Sequence, residues 1–459
     1  MTHHITVPFR GDGHGTGELT WGQYAAWRSM KLIGITEWTG GTMPLDDGMT
    51  VQDVVTLLGF IMSRHQSLRT RLAFDADGVP RQVLSDAGEI TLEVVDLGDD
   101  DDPATVAATV RERYEAAPWD ATTDWPVRMA VLRRQDRAVH FVALYCHMVI
   151  DGYGFEALVA DLANLEPGTG RHLAPVGGVQ PLDLARAQRG PSARRQQAAS
   201  LRYWERHLRA IEPQRFRDRL VPQHERWWEA GYTSPAMHLA LAAYTERTKV
   251  HSGTVVLAAY AVVLARLSGQ HTGVFRIVVS NRFRPGFAAS VSNLAQAGLA
   301  VIDTAGCTFD EAVERAWKSQ LAAGMYAYYD PHDLWALVDR VAAERAVELD
   351  TFCYYNDRRR TAAQTYSGPA PTADQVAAAL PASTLRWGPS SDEWDPSCIL
   401  HINTVPDTID LTLRVDTTFV SPAGIEACLR GIESLIVAAA FDPALPADVD
   451  VPVLAPSTR

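Results

Sequence analysis

The stretch Tyr145-Cys146-His147-Met148-Val149-Ile150-Asp151-Gly152-Tyr153-Gly154 follows a nearly unbroken apolar run, Val139 to Tyr145, and that run reads as a buried central strand. The strand delivers a histidine into a turn, an aspartate comes four residues later, and glycines let the backbone bend. Reactive side chains leave a core at such strand ends. A neutral imidazole near pH 7 takes a proton from an attacking amine or hydroxyl, which makes His147 a candidate base. A second reading of the same residues has a backbone group satisfying His147 and Asp151 capping the next helix. Asp151 is too near in sequence to be taken as the orienting partner of His147. It either holds a backbone turn or pairs with a distant arginine.

Working outward, Val127 to Arg134 and Ala138 to Tyr145 read as two strands hinged at Gln135-Asp136, an antiparallel hairpin. Thr105 to Ala117 has the spacing of an amphipathic helix. Gln52 to Arg71 reads as a helix running into a strand, since Val54, Val55, Leu58, Ile61 and Leu68 keep a helical spacing before alternation begins. Beyond the quoted stretch, Glu166 to Ser200 is rich in Pro and Gly and then in Arg, Ala and Gln, and reads as the connector between two halves. The second half opens with a helix from Ser252 to Leu267, capped by Ser252 or Thr254 and stopped by Gly269. A strand, Val274 to Val279, then runs into Ser280-Asn281-Arg282-Phe283-Arg284-Pro285. Further expected elements are a helix over Phe309 to Ala323, a strand over Asp350 to Asn356, and an insert with little periodicity from Thr361 to Ser383. The end reads as strands Cys398 to Thr404 and Ile409 to Asp416, then a helix over Pro422 to Ala440. Helix and strand segments alternate throughout, an α/β or α+β pattern.

Composition bounds the function. The 459 residues carry a net charge of -13, which argues against a protein that coats a nucleic-acid backbone. With 47% apolar and 21% charged residues the chain is an ordinary globular one, long enough for two large lobes. Five cysteines, odd in number and without a Cys-x-x-Cys pair, disfavour a disulfide framework and a structural zinc site, so a reducing cytoplasm and no metal are expected. Met1 to Gly17 is polar and glycine-rich without the apolar core of an export signal, and no run approaches the ~18 apolar residues of a membrane span. No membrane partner is expected. Arginine is dense from Gln188 to Arg219, the one basic patch of an acidic chain.

His147-x-x-x-Asp151-Gly152 resembles the second histidine, aspartate and glycine of the HHxxxDG motif of nonribosomal peptide synthetase condensation domains, in the chloramphenicol acetyltransferase-like superfamily. The likeness extends along the chain in order. Arg64-His65-Gln66-Ser67-Leu68-Arg69-Thr70-Arg71-Leu72 is similar to the family's RHExLRTxF segment, and Glu18-Leu19-Thr20-Trp21-Gly22-Gln23-Tyr24 to its opening motif. Trp119-Asp120 through Asp124-Trp125-Pro126-Val127-Arg128, Tyr203-Trp204 with Leu208, and Ser252-Gly253-Thr254-Val255-Val256 with Leu267-Ser268-Gly269-Gln270 match further family segments. Three positions depart from the pattern. Cys146 stands where the first motif histidine is usual, and without a neighbour that would lower its thiol pKa it reads as packing. Ser280 to Pro285 stands for a strand ending in Gly-Arg-Pro, and Val291-Ser292-Asn293-Leu294-Ala295-Gln296 for Gly-x-Phe-x-Asn-Thr.

The resemblance implies two acetyltransferase-like lobes, 1–175 and 176–459, in a V-shaped pseudo-dimer with an active-site tunnel between them. It implies that His147 acts as base or orients the acceptor, that Gly152 places a backbone N–H near the reacting carbonyl, and that an arginine holds Asp151 structurally, Arg282 first and Arg284 second. Arg284, Tyr153 and Gln23 are then assigned to substrate or carrier contacts. The implied reaction joins an acyl or aminoacyl thioester on the phosphopantetheine arm of a carrier protein to a small-molecule amine or alcohol, with no intrinsic cofactor. Without an adenylation-type phosphate loop or an attached carrier, the chain is expected to be freestanding and to meet peptidyl or acyl carriers in trans. The alternatives are a coenzyme A-dependent O- or N-acyltransferase and a catalytically silent recruitment protein. Because such carriers are acidic, the arginines of Gln188 to Arg219 are a candidate docking face, or else a solvated helix surface.

Overall fold

A computed structural model describes residues 2–216, 219–359, 366, 368–392, 396 and 398–448. Two compact units divide the chain: Met1–Arg195 with Ser280–Gln296, and Gln196–Val279 with Ala297–Arg459. In chain order the first unit holds strands β1 (Thr2–Arg10), β2 (Gly15–Glu18), β3 (Trp38–Pro44), β4 (Thr70–Phe74), β5 (Pro80–Leu84), β6 (Ala87–Asp96), β7 (Val127–Arg134) and β8 (Arg137–Cys146). Its helices are α1 (Trp21–Ile33), α2 (Val51–Arg64), α3 (Pro103–Ala116), α4 (Gly152–Asp161) and α5 (Pro181–Gln188), while α6 (Pro191–Ala210) runs across the unit boundary. The architecture is the mixed α/β one expected.

Five strands form one sheet in the order β1-β6-β7-β8-β3, and β2-β5-β4 form a smaller one. The hairpin of β7 and β8 turns at Gln135, which takes a φ of 57°. The apolar run of β8 is explained by its place: it is flanked by β7 and β3 and buried along most of its length. Val54, Leu58, Ile61 and Met62 of α2 are buried in the same core as Tyr145, Cys146, Met148 and Ile150. A capping box of Thr50 and Asp53 starts α2.

The second unit contains β9 (Trp227–Ser234), β10 (Thr272–Val279), β11 (Gln296–Asp303), β12 (Cys353–Asp357), β13 (Thr384–Ser391), β14 (Cys398–Asn403) and β15 (Ile409–Asp416), in one sheet of order β11-β10-β12-β14-β15-β9-β13. Its helices after α6 are α7 (Pro235–Thr248), α8 (Ser252–Ser268), α9 (Phe309–Met325), α10 (Pro331–Arg345), α11 (Ala373–Ala379) and α12 (Pro422–Phe441). Every residue of α8 from Ser252 to Ala265 is buried, as a helix that is apolar on all sides must be. Among the described residues no single helix is long and apolar enough to cross a membrane.

Several expectations are corrected here. The unit boundary lies after Arg195 rather than at 175/176, because the connector folds back: Gln188 Oε1 accepts from the Trp21 N–H at 3.0 Å, and Gln82 Nε2 donates to the Pro181 carbonyl at 3.3 Å. Pro181 and Pro191 each start a helix there, so the second half of the connector is helical. The cap of α8 is His251, whose Nδ1 accepts from the Gly253 N–H, not Ser252 or Thr254. Gly269 does end that helix, at a φ of 69°. Of the aperiodic segment Thr361 to Ser383, residues 361–365 and 367 lie outside the described residues, and the rest includes α11, started by a Thr372–Gln375 capping box.

Candidate active site

His147 follows the last residue of β8, and its N–H donates to the Glu37 carbonyl at 2.8 Å, which carries the β3·β8 ladder one residue past the strand. The ring is part-buried. Nδ1 lies 3.0 Å from the Ile150 carbonyl oxygen and 3.0 Å from Thr39 Oγ1. A carbonyl only accepts, so the neutral ring carries its hydrogen on Nδ1 and presents the basic lone pair at Nε2. A backbone group does satisfy one nitrogen, as one of the two sequence readings has it, and that contact leaves the lone pair of the other nitrogen unused by it.

Asp151 is 3% exposed and its carboxylate collects four donors. Oδ1 accepts from the Gly154 N–H at 2.7 Å, capping α4. Oδ2 accepts from Arg282 Nη1 at 2.9 Å and from the N–H groups of Leu294 and Ala295 at 2.8 and 3.0 Å. Arg282 Nη2 donates in turn to the Ser290 and Ser292 carbonyls. These bonds draw Ser280–Gln296 into the first unit. Arg282, the first-choice partner, is the one that meets Asp151. Arg284 does not; its N–H donates to the Asn281 carbonyl and its guanidinium lies over the Phe283 ring.

The same segment supplies Asn293, whose Nδ2 donates to the His147 carbonyl at 2.7 Å. Neither this contact nor Thr39 was singled out by sequence reasoning. Thr39 sits in a glycine-rich strand with no motif around it, whereas Asn293 lies in a segment read only as a departure from the family pattern.

At the far end of α4 a second buried network repeats the device. Asp161 pairs with Arg64, and His65 Nε2 lies 3.1 Å from Asp161 Oδ2. Burial alone raises the Asp161 carboxyl, but hydrogen bonds from His65 and Arg64 outweigh it and hold it well below the usual range. Burial lowers the His65 imidazole. The Arg64-to-Leu72 segment is therefore structural: Arg64 anchors α4, and the Arg69 guanidinium donates to the Gly13 and Ser85 carbonyls.

The other expected site residues divide. Gly152 opens α4, and a Cβ built on it meets nothing within 4 Å, so the space beside the helix start is open. Tyr153 is 44% exposed on the next position. Cys146 is fully buried with Sγ 4.0 Å from Met30 Sδ, and burial pushes its thiol up to about 12. Gln23 is corrected from substrate contact to helix cap: it is fully buried, and its Oε1 accepts from the Thr20 N–H at 2.8 Å while Thr20 Oγ1 accepts from the Gln23 N–H. Among the described residues no group of three or more His, Cys, Asp or Glu is arranged to hold a metal.

Comparison with known proteins places this geometry. The phosphinothricin tripeptide synthetase PhsC of Streptomyces viridochromogenes is 29% identical over 294 residues, 61% of this chain. The chain spans 27% of PhsC and a smaller share still of other synthetases it matches. The crystal structure of SgcC5 from Streptomyces globisporus, in complex with a naphthyl ethanediol, superposes with a TM-score of 0.71 at 19% identity, covering 94% of this chain and 100% of that one. The X-domain of teicoplanin biosynthesis, solved in complex with OxyB, superposes with a TM-score of 0.69 at 19% identity, covering 97% and 98% of the two chains. The condensation domain family model matches residues 42–336, which take in the His147 turn, the Asp151–Arg282 pair and α8, and the chain belongs to that family.

Proposed function

We propose that this protein joins an acyl or aminoacyl thioester, carried on the phosphopantetheine arm of a carrier protein, to a small-molecule amine. The observation that carries the reading is the contact between His147 Nδ1 and the Ile150 carbonyl, which leaves Nε2 to accept a proton. As the amine nitrogen bonds to the thioester carbonyl carbon, its proton passes to Nε2. Collapse of the oxyanion breaks the C–S bond, and the proton on Nε2 goes to the departing thiolate. The open space at Gly152 at the start of α4 supports a reacting carbonyl beside the positive end of a helix, where developing negative charge is stabilised. The Asp151–Arg282 pair holds this turn and takes no proton.

The partner reading rests on charge. Of the arginines between 188 and 219, Arg189, Arg209 and Arg215 are paired with carboxylates. Arg194, Arg202 and Arg206 of α6 are exposed and have no carboxylate partner among the described residues. Unneutralised guanidinium groups on an acidic chain favour an acidic carrier, with an affinity that falls as salt rises.

The test is amide formation from a carrier loaded with an acyl thioester, with and without His147→Ala. Loss of turnover by about 100-fold or more is expected; unchanged turnover overturns the reading. Equal activity on a free coenzyme A ester selects a coenzyme A-dependent acyltransferase. An ester formed from a diol, the class bound by SgcC5, changes the acceptor. Cys146 in the motif favours one further reading, a protein that binds a loaded carrier without turning it over, and retention of the carrier with no product from the unmodified protein selects it.

A further inference from the structure

We propose that Thr39 is a positioning residue that aims the His147 ring for its proton transfer; the inference rests on the function proposed above. Thr39 Oγ1 and the Ile150 carbonyl oxygen each lie 3.0 Å from Nδ1, one from strand β3 and the other from the turn before α4. The carbonyl alone decides which nitrogen carries hydrogen. A single acceptor leaves the imidazole free to swing about that contact, whereas two acceptors on different elements define the plane of the ring and so the direction of Nε2.

The backbone makes Thr39 a rigid support. Thr39 pairs with Tyr145 across the β3·β8 ladder, so its side chain and that of His147, two residues on, share one face as diagonal neighbours. The next residue, Gly40, has a φ of 137°, and a Cβ there would fall 2.1 Å from the Ala143 carbonyl oxygen. Strand β3 thus lies closer to β8 at this point than any side chain allows, and a slip that brought Thr39 to this position would clash. When Nε2 takes the proton of the amine, the positive charge spreads over the ring, and both acceptors of the Nδ1–H gain strength as charge-assisted bonds. The proton then leaves Nε2 for the thiolate sulfur, and Nδ1 keeps its hydrogen throughout.

Thr39→Val keeps the shape of the side chain and removes only the hydroxyl. In the loaded-carrier assay it is expected to lower kcat by about 10- to 100-fold with KM for the amine changed less than about twofold, because the ring is misaimed and no substrate contact is lost. Thr39→Ser is expected to restore kcat to within about threefold. In the full-length protein labelled on histidine, the His147 Cε1–H signal, single in the parent, is expected to broaden or split in Thr39→Val and return in Thr39→Ser. A Thr39→Val protein with parental kcat and an unchanged ring signal overturns the proposal, and so does a Thr39→Ser protein as impaired as Thr39→Val. If His147→Ala keeps full turnover, the proposed function fails on its own, while the ring signal still reports whether Thr39 holds the imidazole.

Discussion

Arg282 Nη1 lies 2.9 Å from Asp151 Oδ2, two charges 131 residues apart in sequence and both shielded from water. The pair does not touch the histidine. It closes the turn that carries it, and Ser280–Gln296 is recruited to the first unit around it.

Breaking that pair leaves a buried carboxylate with its other three donors and no counter-charge. Arg282→Ala is expected to cost about 3–5 kcal/mol of stability. Urea denaturation measures it, and a loss under about 1 kcal/mol means Asp151 is paired by something else. Arg282→Lys is expected to rescue little, because the guanidinium also reaches the Ser290 and Ser292 carbonyls and an ammonium does not span them.

The two glycines after Asp151 play different parts. A Cβ at Gly154 would lie 2.6 Å from the Ser292 carbonyl oxygen and 3.0 Å from Arg282 Nη2, whereas one at Gly152 meets open space. Gly154→Ala is expected to destabilise by about 1–3 kcal/mol, and Gly152→Ala to leave the melting temperature near that of the parent. If substrate occupies the space at Gly152, that second variant loses turnover without losing stability, which thermal melting and the carrier assay separate.

His401 is half-buried and accepts from Arg358 Nη2 at 2.9 Å on Nε2. Burial first, and the Arg358 charge second, lower its pKa to about 3, against about 6.5 for an exposed imidazole. The sign follows from linkage: the unfolded chain takes up the proton below about pH 6.5 and the folded one does not. Stability is therefore full above pH 6.5 and declines as pH falls toward 3. Denaturation midpoints at pH 7.5, 6 and 5 are expected to fall in the parent and to fall less in His401→Gln. Equal slopes would remove His401 as the cause.

Cys146 is buried with its thiol pushed up to about 12, so it stays protonated and out of reach at neutral pH. Alkylating reagent at pH 8 is expected to modify Cys146 only after unfolding, as peptide mass spectrometry would record. Cys146→Ala is expected to keep turnover within a few-fold. A large selective loss would give the thiol a chemical part that its packing against Met30 does not suggest.

Much of the local structure was legible because it is written in short-range patterns. The apolar run of β8, the helical spacing of α2, the turn at Gln135-Asp136 and the αL stop at Gly269 each depend on neighbours a few residues away. His147 and Asp151 stood out for a related reason, their residue types and spacing forming a short motif, whereas Arg282 came only from what the family resemblance implies. Misreadings arose where short-range patterns compete. Gln23 sits inside a motif-like segment, yet its position three residues after Thr20 makes it half of a capping box. The Pro- and Arg-rich connector does hold the division between the units, but its two helices start at Pro181 and Pro191, because proline at a first helical position starts a helix.

By itself, then, the sequence determined which elements bear the candidate residues: a histidine at the end of a buried strand, an aspartate at a helix start and an arginine after another strand. Tertiary structure alone decided which nitrogen of His147 is basic, because that depends on the Ile150 carbonyl and on Thr39 from a strand 108 residues away. It also decided that Arg282 and not Arg284 meets Asp151, and that Ser280–Gln296 folds with the first unit. Such choices are made by hydrogen bonds between residues distant in the chain, and a bond of that kind leaves no periodicity for a local reading to find.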